Sequence, residues 1–355
     1  MDFKFKTDSI WKPRDVVGID VGTRSVKAVQ LKKKAKLTKL VGYGKLDIPE
    51  NYIIEGIVSE PEKLAELIKD FFRKITWGKV TATRVNLSIS ESKVFTRIMT
   101  LPHTDDKGRS DAVIWEATQI VPMAIDDLYL DWQYIGPNKE DPKSDDIIFA
   151  AAPKSIVNSY IQLVSLLGLE ISSIETNLGA VARAMVPSKA FGETILVVDL
   201  GARNTSMAIF DQYIRVTGST LVGGEDLTKK IADVLKIESS EAEKLKLKKD
   251  DKDLIKVREA IDFELTDMTK EIDRMVHYYY EKINKENSVS KILLCGGTAS
   301  LPGLADYFTE KLGITTAVGN PWSNISVYPI KPVPKEEAPI YTNAIGLALL
   351  GIENE

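Results

Sequence analysis

The sequence predicts a duplicated α/β fold: two similar halves facing a cleft, with a smaller β-β-α-β-β-α unit inserted into the first half. Three observations predict it. Strand-like and helix-like segments alternate along the 355 residues. A strand–turn–strand–strand unit, "VVGIDVGTRSVKAVQL", returns about half a chain later as "LVVDLGARNTSMAIF". Between them, residues 84–169 interrupt the repeat with a run of strands and helices of their own.

The elements follow in order. Residues 16–20, 25–31 and 37–46 read as three strands, rich in β-branched and apolar residues. The "KKKAK" between the last two fits a solvated hairpin turn, and a basic run also suits acidic lipid. Ser59 as cap, with Pro61 in the first turn, starts a helix to residue 72. "RVNLSIS" and "KVFTRIMTL" alternate as strands, and a helix spans about 105–120. Strands at 128–135 and 147–152 flank the polar, turn-rich loop 136–146, and a helix follows at 154–167. "LEISSIE" and "TNLGAVARAMV" give a strand and a helix. Residues 195–200, 205–210 and 213–218 repeat the opening strands. Charged amphipathic helices then occupy 241–247 and 251–283, before the strand "SKILLCGG" and a final helix in "PIYTNAIGLALLG".

Composition sets limits on function. The chain is 44% hydrophobic and 28% charged, as ordinary globular proteins are. A net charge of −4 argues against binding nucleic acid through a broadly basic face. One cysteine, Cys295, excludes an internal disulfide framework and fits a reducing compartment. Two histidines leave little for a zinc site. The longest apolar stretch, 344–352, is far short of the roughly 18–20 residues a membrane span needs. Residues 1–14 lack the apolar core of a signal peptide and read as a flexible lead with aromatic anchors.

The turns carry the chemistry. Successive amides in a strand–Asp-x-Gly–strand turn form an anion nest, and glycine lets backbone approach a phosphate. Asp20, Gly22, Thr23 and Ser25 make the first such turn, and Asp199, Gly201 and Thr205 the second. An acid beside phosphate is repulsive unless magnesium stands between, often through water. One Asp-Gly turn is usually only a turn; a pair at equivalent places in a repeat points to Mg-nucleotide. Gly296 and Gly297 end a strand where a base or ribose can lie on backbone, and Gly223 and Gly224 open a helix. Glu243 and Lys246 share a helix face, as a surface pair or as partners of ribose and base. No G-x-x-x-x-G-K-[ST] loop is present.

The set "GIDVGTRSVK", "IETNLGAVARA", "VVDLGARNTS", "GGEDLT", "AEKLK", "CGGTAS" and "YTNAIGLAL" resembles the actin/heat-shock chaperone/sugar kinase superfamily from about residue 15 onward. The place of the insert is similar to the FtsA-like branch. The stretch "IMTLPHTDDKGRSDAVIWEATQIVPMAIDDLYLDWQYIG" is closer still to the PilM family of type IV pilus assembly proteins.

The resemblance implies an actin-like (ribonuclease H-like) fold. A first domain would comprise 15–83, 170–190 and 331–355, with an FtsA-type subdomain at 84–169. A second domain would span 191–330, with a helical subdomain at about 223–290. It implies ATP and Mg as ligands, with Asp20 and Asp199 near the metal and Glu175 where chaperone relatives hold an acid. It implies no catalytic residue: no base for activating water stands out. Arg203-Asn204 and Asn177 depart from the usual pattern, so ATP binding with at most slow hydrolysis is expected.

The implied role is a cytoplasmic adaptor, peripheral at the inner membrane, that holds the cytoplasmic N-terminal tail of PilN, meets other pilus inner-membrane components and reaches the membrane only through partners, with self-association left open. Trp115, Ile120, Val121, Pro122 and Met123 cluster at a helix end, to pack the insert's own core or to line a peptide groove. A small-molecule kinase would need a catalytic carboxylate in its substrate domain. A division-type FtsA would end in an amphipathic helix, where this chain ends "LLGIENE". A filament-forming actin homologue would carry a different insert.

Overall fold

A computed structural model describes residues 15–34, 37–138, 141–186, 192–248, 250–323, 325–331 and 333–353. The lead at 1–14 and the tip of the "KKKAK" turn lie outside the described residues.

In chain order the first half contains β1 (Val16–Val21), β2 (Ser25–Lys34), β3 (Leu37–Asp47), the short pair β4 (Ile53–Ile54) and β5 (Ile57–Val58), and α1 (Pro61–Arg73). Then come β6 (Trp77–Gly78), β7 (Arg84–Ile89), β8 (Phe95–Pro102), α2 (Asp106–Ile120), β9 (Leu128–Pro137), β10 (Ser144–Pro153), α3 (Lys154–Leu167), β11 (Glu170–Thr176) and α4 (Asn177–Met185). The second half contains β12 (Ile195–Leu200), β13 (Thr205–Asp211), β14 (Tyr213–Thr220), α5 (Gly224–Leu235), α6 (Ser239–Lys246) and α7 (Asp251–Lys282). It closes with β15 (Lys291–Cys295), α8 (Leu304–Leu312) and β16 (Thr316–Val318), and the chain then returns to the first half with β17 (Ile325–Ser326) and α9 (Thr342–Glu353), so the second unit ends short of the expected residue 330.

The duplication is explicit in the sheets. The first sheet is seven-stranded, ordered β11-β7-β1-β2-β3-β17, with β6 on β3; the second is ordered β14-β13-β12-β15-β16. In each half the leading strand pairs antiparallel with its hairpin partner and parallel with a later strand, β1 with β2 and β7, β12 with β13 and β15. Both central strands are apolar on both faces because helices cover both. Leu196, Val198 and Leu200 face a core with Leu265, Met268 and Tyr279 of α7. The alternate residues Ile195 and Val197 meet Val181 and Met185 of α4. On β1, Val17, Ile19 and Val21 join Leu64 and Ile68 of α1.

The insert is smaller than expected. Strand β7 lies inside the first sheet between β11 and β1, and α3 buries Ile156, Tyr160 and Leu163 in the core that α1 shares. Both are parts of the first half that only flank the insert in sequence. What protrudes is the three-stranded sheet β8-β10-β9 with α2, around Met99, Val113, Leu128 and Phe149. The loop expected at 136–146 is shorter too, since β9 runs to Pro137 and β10 starts at Ser144. Helix α1 is capped by Glu60 with no side-chain cap bond; the Ser59 hydroxyl turns back to the Ile57 carbonyl.

Candidate nucleotide cleft

The two Asp-x-Gly turns are built alike. Gly22 N donates to Ser25 O at 3.0 Å, and Gly201 N donates to Asn204 O at 3.0 Å. Each turn leaves its aspartate at the end of a central strand, and the two carboxylates are near enough for Asp20 to act on Asp199. Each aspartate is held by an asparagine from the first turn of a helix. Asn343 of α9 donates to Asp20 Oδ1 at 2.8 Å, and Asn177 of α4 to Asp199 Oδ2 at 3.0 Å. Asn177 therefore has a structural task, as its Oδ1 also accepts from Glu91 N at 2.8 Å. Asn343 was missed at the level of sequence. The signal was there, since "TN" opens both helices, at Thr176-Asn177 and Thr342-Asn343.

Burial, and then the negative charge of Asp20, push Asp199 up to about 6. Asp20 is balanced by Lys27, whose Nζ lies 3.1 Å from Oδ2. Two acids close enough to repel, with one lysine between them, call for a further cation. Among the described residues no group of three or more His, Cys, Asp or Glu is arranged to hold a metal by itself. Glu175 is occupied elsewhere: its two oxygens meet Arg183 Nη1 at 2.6 Å and Nη2 at 2.9 Å. Of the hydroxyls, Thr23 is half-buried in its turn and Ser25 is buried. Thr205 donates to Val222 O at 2.9 Å.

A second repeat pair went unread in the sequence. Arg24 follows Gly22 by two residues, and Arg203 follows Gly201 by two. Both reach Glu225 at the start of α5, at 2.5 Å and 3.3 Å, so one carboxylate spans the turns of both halves. Asn204 adds a bond from its amide to Ser90 Oγ at 3.1 Å.

Of the residues expected at adenosine, Gly296 lies against the second turn and Lys246 against Gly224. Gly296 has φ +84, and a Cβ there would lie 2.5 Å from Leu200 O and 2.7 Å from Asp199 Oδ1. Only glycine permits this approach of the β15 end to the second turn. At Gly297 an added Cβ would meet nothing within 4 Å, so this backbone borders open space. Lys246 is buried, its ammonium bonded to Gly224 O (3.0 Å), Thr228 Oγ1 (2.7 Å) and Glu243 Oε2 (2.7 Å). It anchors α6 to the Gly223-Gly224 turn. Glu243 is half exposed; desolvation raises its pKa, but Lys246, the Thr228 hydroxyl and Lys45 together outweigh this and hold it low.

The five residues expected at a partner groove divide. Val121 is buried in the insert's core and Ile120 packs on it, whereas Trp115 (65% exposed), Pro122 and Met123 face outward.

The family profile described as "Type IV pilus assembly protein PilM" matches residues 18–352. The chain belongs to the PilM family. Among solved structures it is similar to a PilM-PilN type IV pilus biogenesis complex, with TM-score 0.83 and 24% identity, covering 96% of this chain and 99% of that one. The MreB5 protein of Spiroplasma citri bound to AMPPNP shares the actin-like fold, at TM-score 0.57 and 13% identity, over 96% of each chain. The cell division protein FtsA of Enterococcus hirae is 23% identical, over 93% of this chain and 81% of its own length. This PilM-family chain therefore has an actin-like fold whose insert sits in the first half.

One pH dependence follows from the cleft. Asp199 is raised from 3.8 to about 6, so at pH 5 the folded protein holds a proton that the unfolded chain has mostly released. Stability without ligand therefore falls as pH rises through that window. A cation needs the charged form, so magnesium's enhancement of nucleotide affinity is expected to grow between pH 5 and 7. Asp199→Asn should flatten that dependence in a fluorescence titration.

Proposed function

We propose that this chain is an ATP-binding adaptor of type IV pilus assembly, cytoplasmic and peripheral at the inner membrane, which holds the N-terminal cytoplasmic tail of a PilN-type membrane protein. The observation that carries the nucleotide half is the pair of equivalent Asp-x-Gly turns, each aspartate held by an asparagine and the two close enough to repel. Asp20 and Asp199 would sit beside the hydrated magnesium, which neutralises the phosphates when bound. The amides of both turns would bind phosphate oxygens, and Gly296, Gly297 and Glu243 would orient the nucleoside. Glu175, the acid expected near the metal, is committed to Arg183. Turnover is accordingly slow, below the roughly 1–1000 per second of evolved enzymes.

The adaptor half is supported by family membership and by the neighbour that was solved with PilN. No described helix is long and apolar enough to cross a membrane. A groove of about 210 Å3 lies between α2 and the edge strand β8, lined by Arg97, Thr100, Glu116 and Ile120. An edge strand accepts an extended peptide by main-chain pairing, and neighbouring apolar side chains then select it.

The test is calorimetry of the full chain against a synthetic PilN tail peptide, with and without MgATP. Met123→Asp with Trp115→Ala is expected to weaken tail binding at least tenfold and leave ATP affinity unchanged. Val121→Asp buries a charge in the small core and is expected to unfold the insert by circular dichroism. Full tail binding by the folded Met123/Trp115 variant would move the site off this face.

A further inference from the structure

A well-defined pocket lies away from the two Asp-x-Gly turns. It is an open pocket of about 550 Å3 at the outer edge of the first sheet, where Lys32, Lys34, Lys39 and Lys79 ring a floor that includes Val41 and Ile330. Strand pairing accounts for its composition. Lys32 stands directly opposite Lys39, and Lys34 opposite Leu37. Side chains alternate along a strand, so these four share one face of the β2–β3 hairpin. The other face buries Leu31 and Leu40. Lys79 is pinned alongside by the bond from its amide to Val41 O at 3.1 Å.

Three features set this patch apart from an ordinary solvated face. Like charges directly opposite on a sheet repel. Lys32 meets Asp15 at 3.5 Å, but among the described residues Lys34, Lys39 and Lys79 make no ion pair. Large apolar groups stand out beside the lysines: Leu37 is 57% exposed and Tyr328, just past the strand that pairs with Lys39, is 82% exposed. The chain as a whole is acidic, so the clustering is local.

We propose that this lysine-ringed pocket is a direct contact with anionic phospholipid, separate from any contact made through a membrane-protein partner. Lysine ammonium groups would meet lipid phosphates while their stems lie along the apolar floor. Tyr328 has the amphipathic ring that favours the headgroup level, and Leu37 offers a short apolar insertion. An anionic surface relieves the Lys32–Lys39 repulsion. A soluble acidic peptide would supply the charge but gives Leu37 and Tyr328 no apolar layer to enter. One such patch is a weak anchor, suited to orienting a protein that a partner also holds.

The test is sedimentation of the full chain with large vesicles, in the absence of any partner protein. The protein is expected to pellet with vesicles containing phosphatidylglycerol, not with phosphatidylcholine alone, and to be released by high salt. Each lysine near such a surface contributes roughly fivefold to partitioning, so Lys34→Gln/Lys39→Gln/Lys79→Gln should lower it about a hundredfold. Leu37→Ser/Tyr328→Ser should also lower it while every lysine remains. All substituted side chains are on the surface, and unchanged melting curves would show that the variants fold. Absence of binding to anionic vesicles, or undiminished binding by the lysine variant, would overturn the proposal. Equal competition by soluble poly-glutamate would do the same, and would reassign the pocket to an acidic protein.

Discussion

Alanine at both Asp20 and Asp199 is expected to lower magnesium-dependent ATP affinity at least a hundredfold while leaving a folded protein. The argument starts from the two strands that end at these residues. Each carboxylate accepts an asparagine amide from a linker helix, Asn343 at 2.8 Å and Asn177 at 3.0 Å. Those asparagines aim the carboxylates; in the complex each carboxylate would accept hydrogen bonds from magnesium's water, and losing such a charged bond costs about 1.5–3 kcal/mol, which for two sites exceeds a hundredfold in binding. Stability moves less, because Asp199 is penalised in the free protein: burial and the charge of Asp20 hold its pKa near 6. Asparagine at the same positions separates charge from geometry. It still accepts from Asn343 or Asn177 yet cannot attract a cation. Calorimetry with and without magnesium is therefore expected to show the Asn variants binding nucleotide weakly and independently of magnesium. Full magnesium-dependent affinity in the double alanine variant would place the nucleotide elsewhere.

How far the site was legible depended on whether the signal was local or relational. The strands and both turns were legible, because a run of β-branched residues ending in Asp-x-Gly has few other conformations, and its repetition gave the two equivalent hairpins. Arg24 and Arg203 were legible in principle, two residues after each turn glycine, but only the structure brings them onto Glu225. The insert's limits were not legible. β7 and α3 have the same local pattern inside or outside it, and only pairing of β7 with β1, and packing of α3 beside α1, assigns them. Val121 and Met123 are two residues apart and both apolar. Which one enters the core depends on how the chain turns after α2, a matter of tertiary packing. Glu175 shows the same limit: its type suits a metal, but Arg183, eight residues on, takes both oxygens.

Gly346→Ala is expected to be the most destabilising single methyl that can be added to the linker helices. Helices α4 and α9 each cover one sheet, α4 the second and α9 the first, and they cross where the halves join. At the crossing a Cβ on Gly346 would lie 1.8 Å from Ala180 O and 2.4 Å from Ala180 C. Both obstacles are helix backbone, so no side chain can rotate away, and the helices must separate. Overpacking costs about 1–3 kcal/mol where neighbours can shift, and a backbone clash belongs at or beyond the upper end. The separation also strains the bond from Arg183 Nη1 to Gly346 O at 3.1 Å. Function is coupled to this crossing because the asparagines that hold Asp20 and Asp199 ride on the same two helices. The variant should therefore lose both thermal stability and ATP affinity, measured below its melting transition. Gly297→Ala supplies the contrast. Its added methyl meets nothing within 4 Å, so melting should stay unchanged while ATP affinity falls, the methyl filling space that the nucleoside needs. If Gly346→Ala melts like the parent protein, the tight crossing of α4 and α9 is not what joins the two halves.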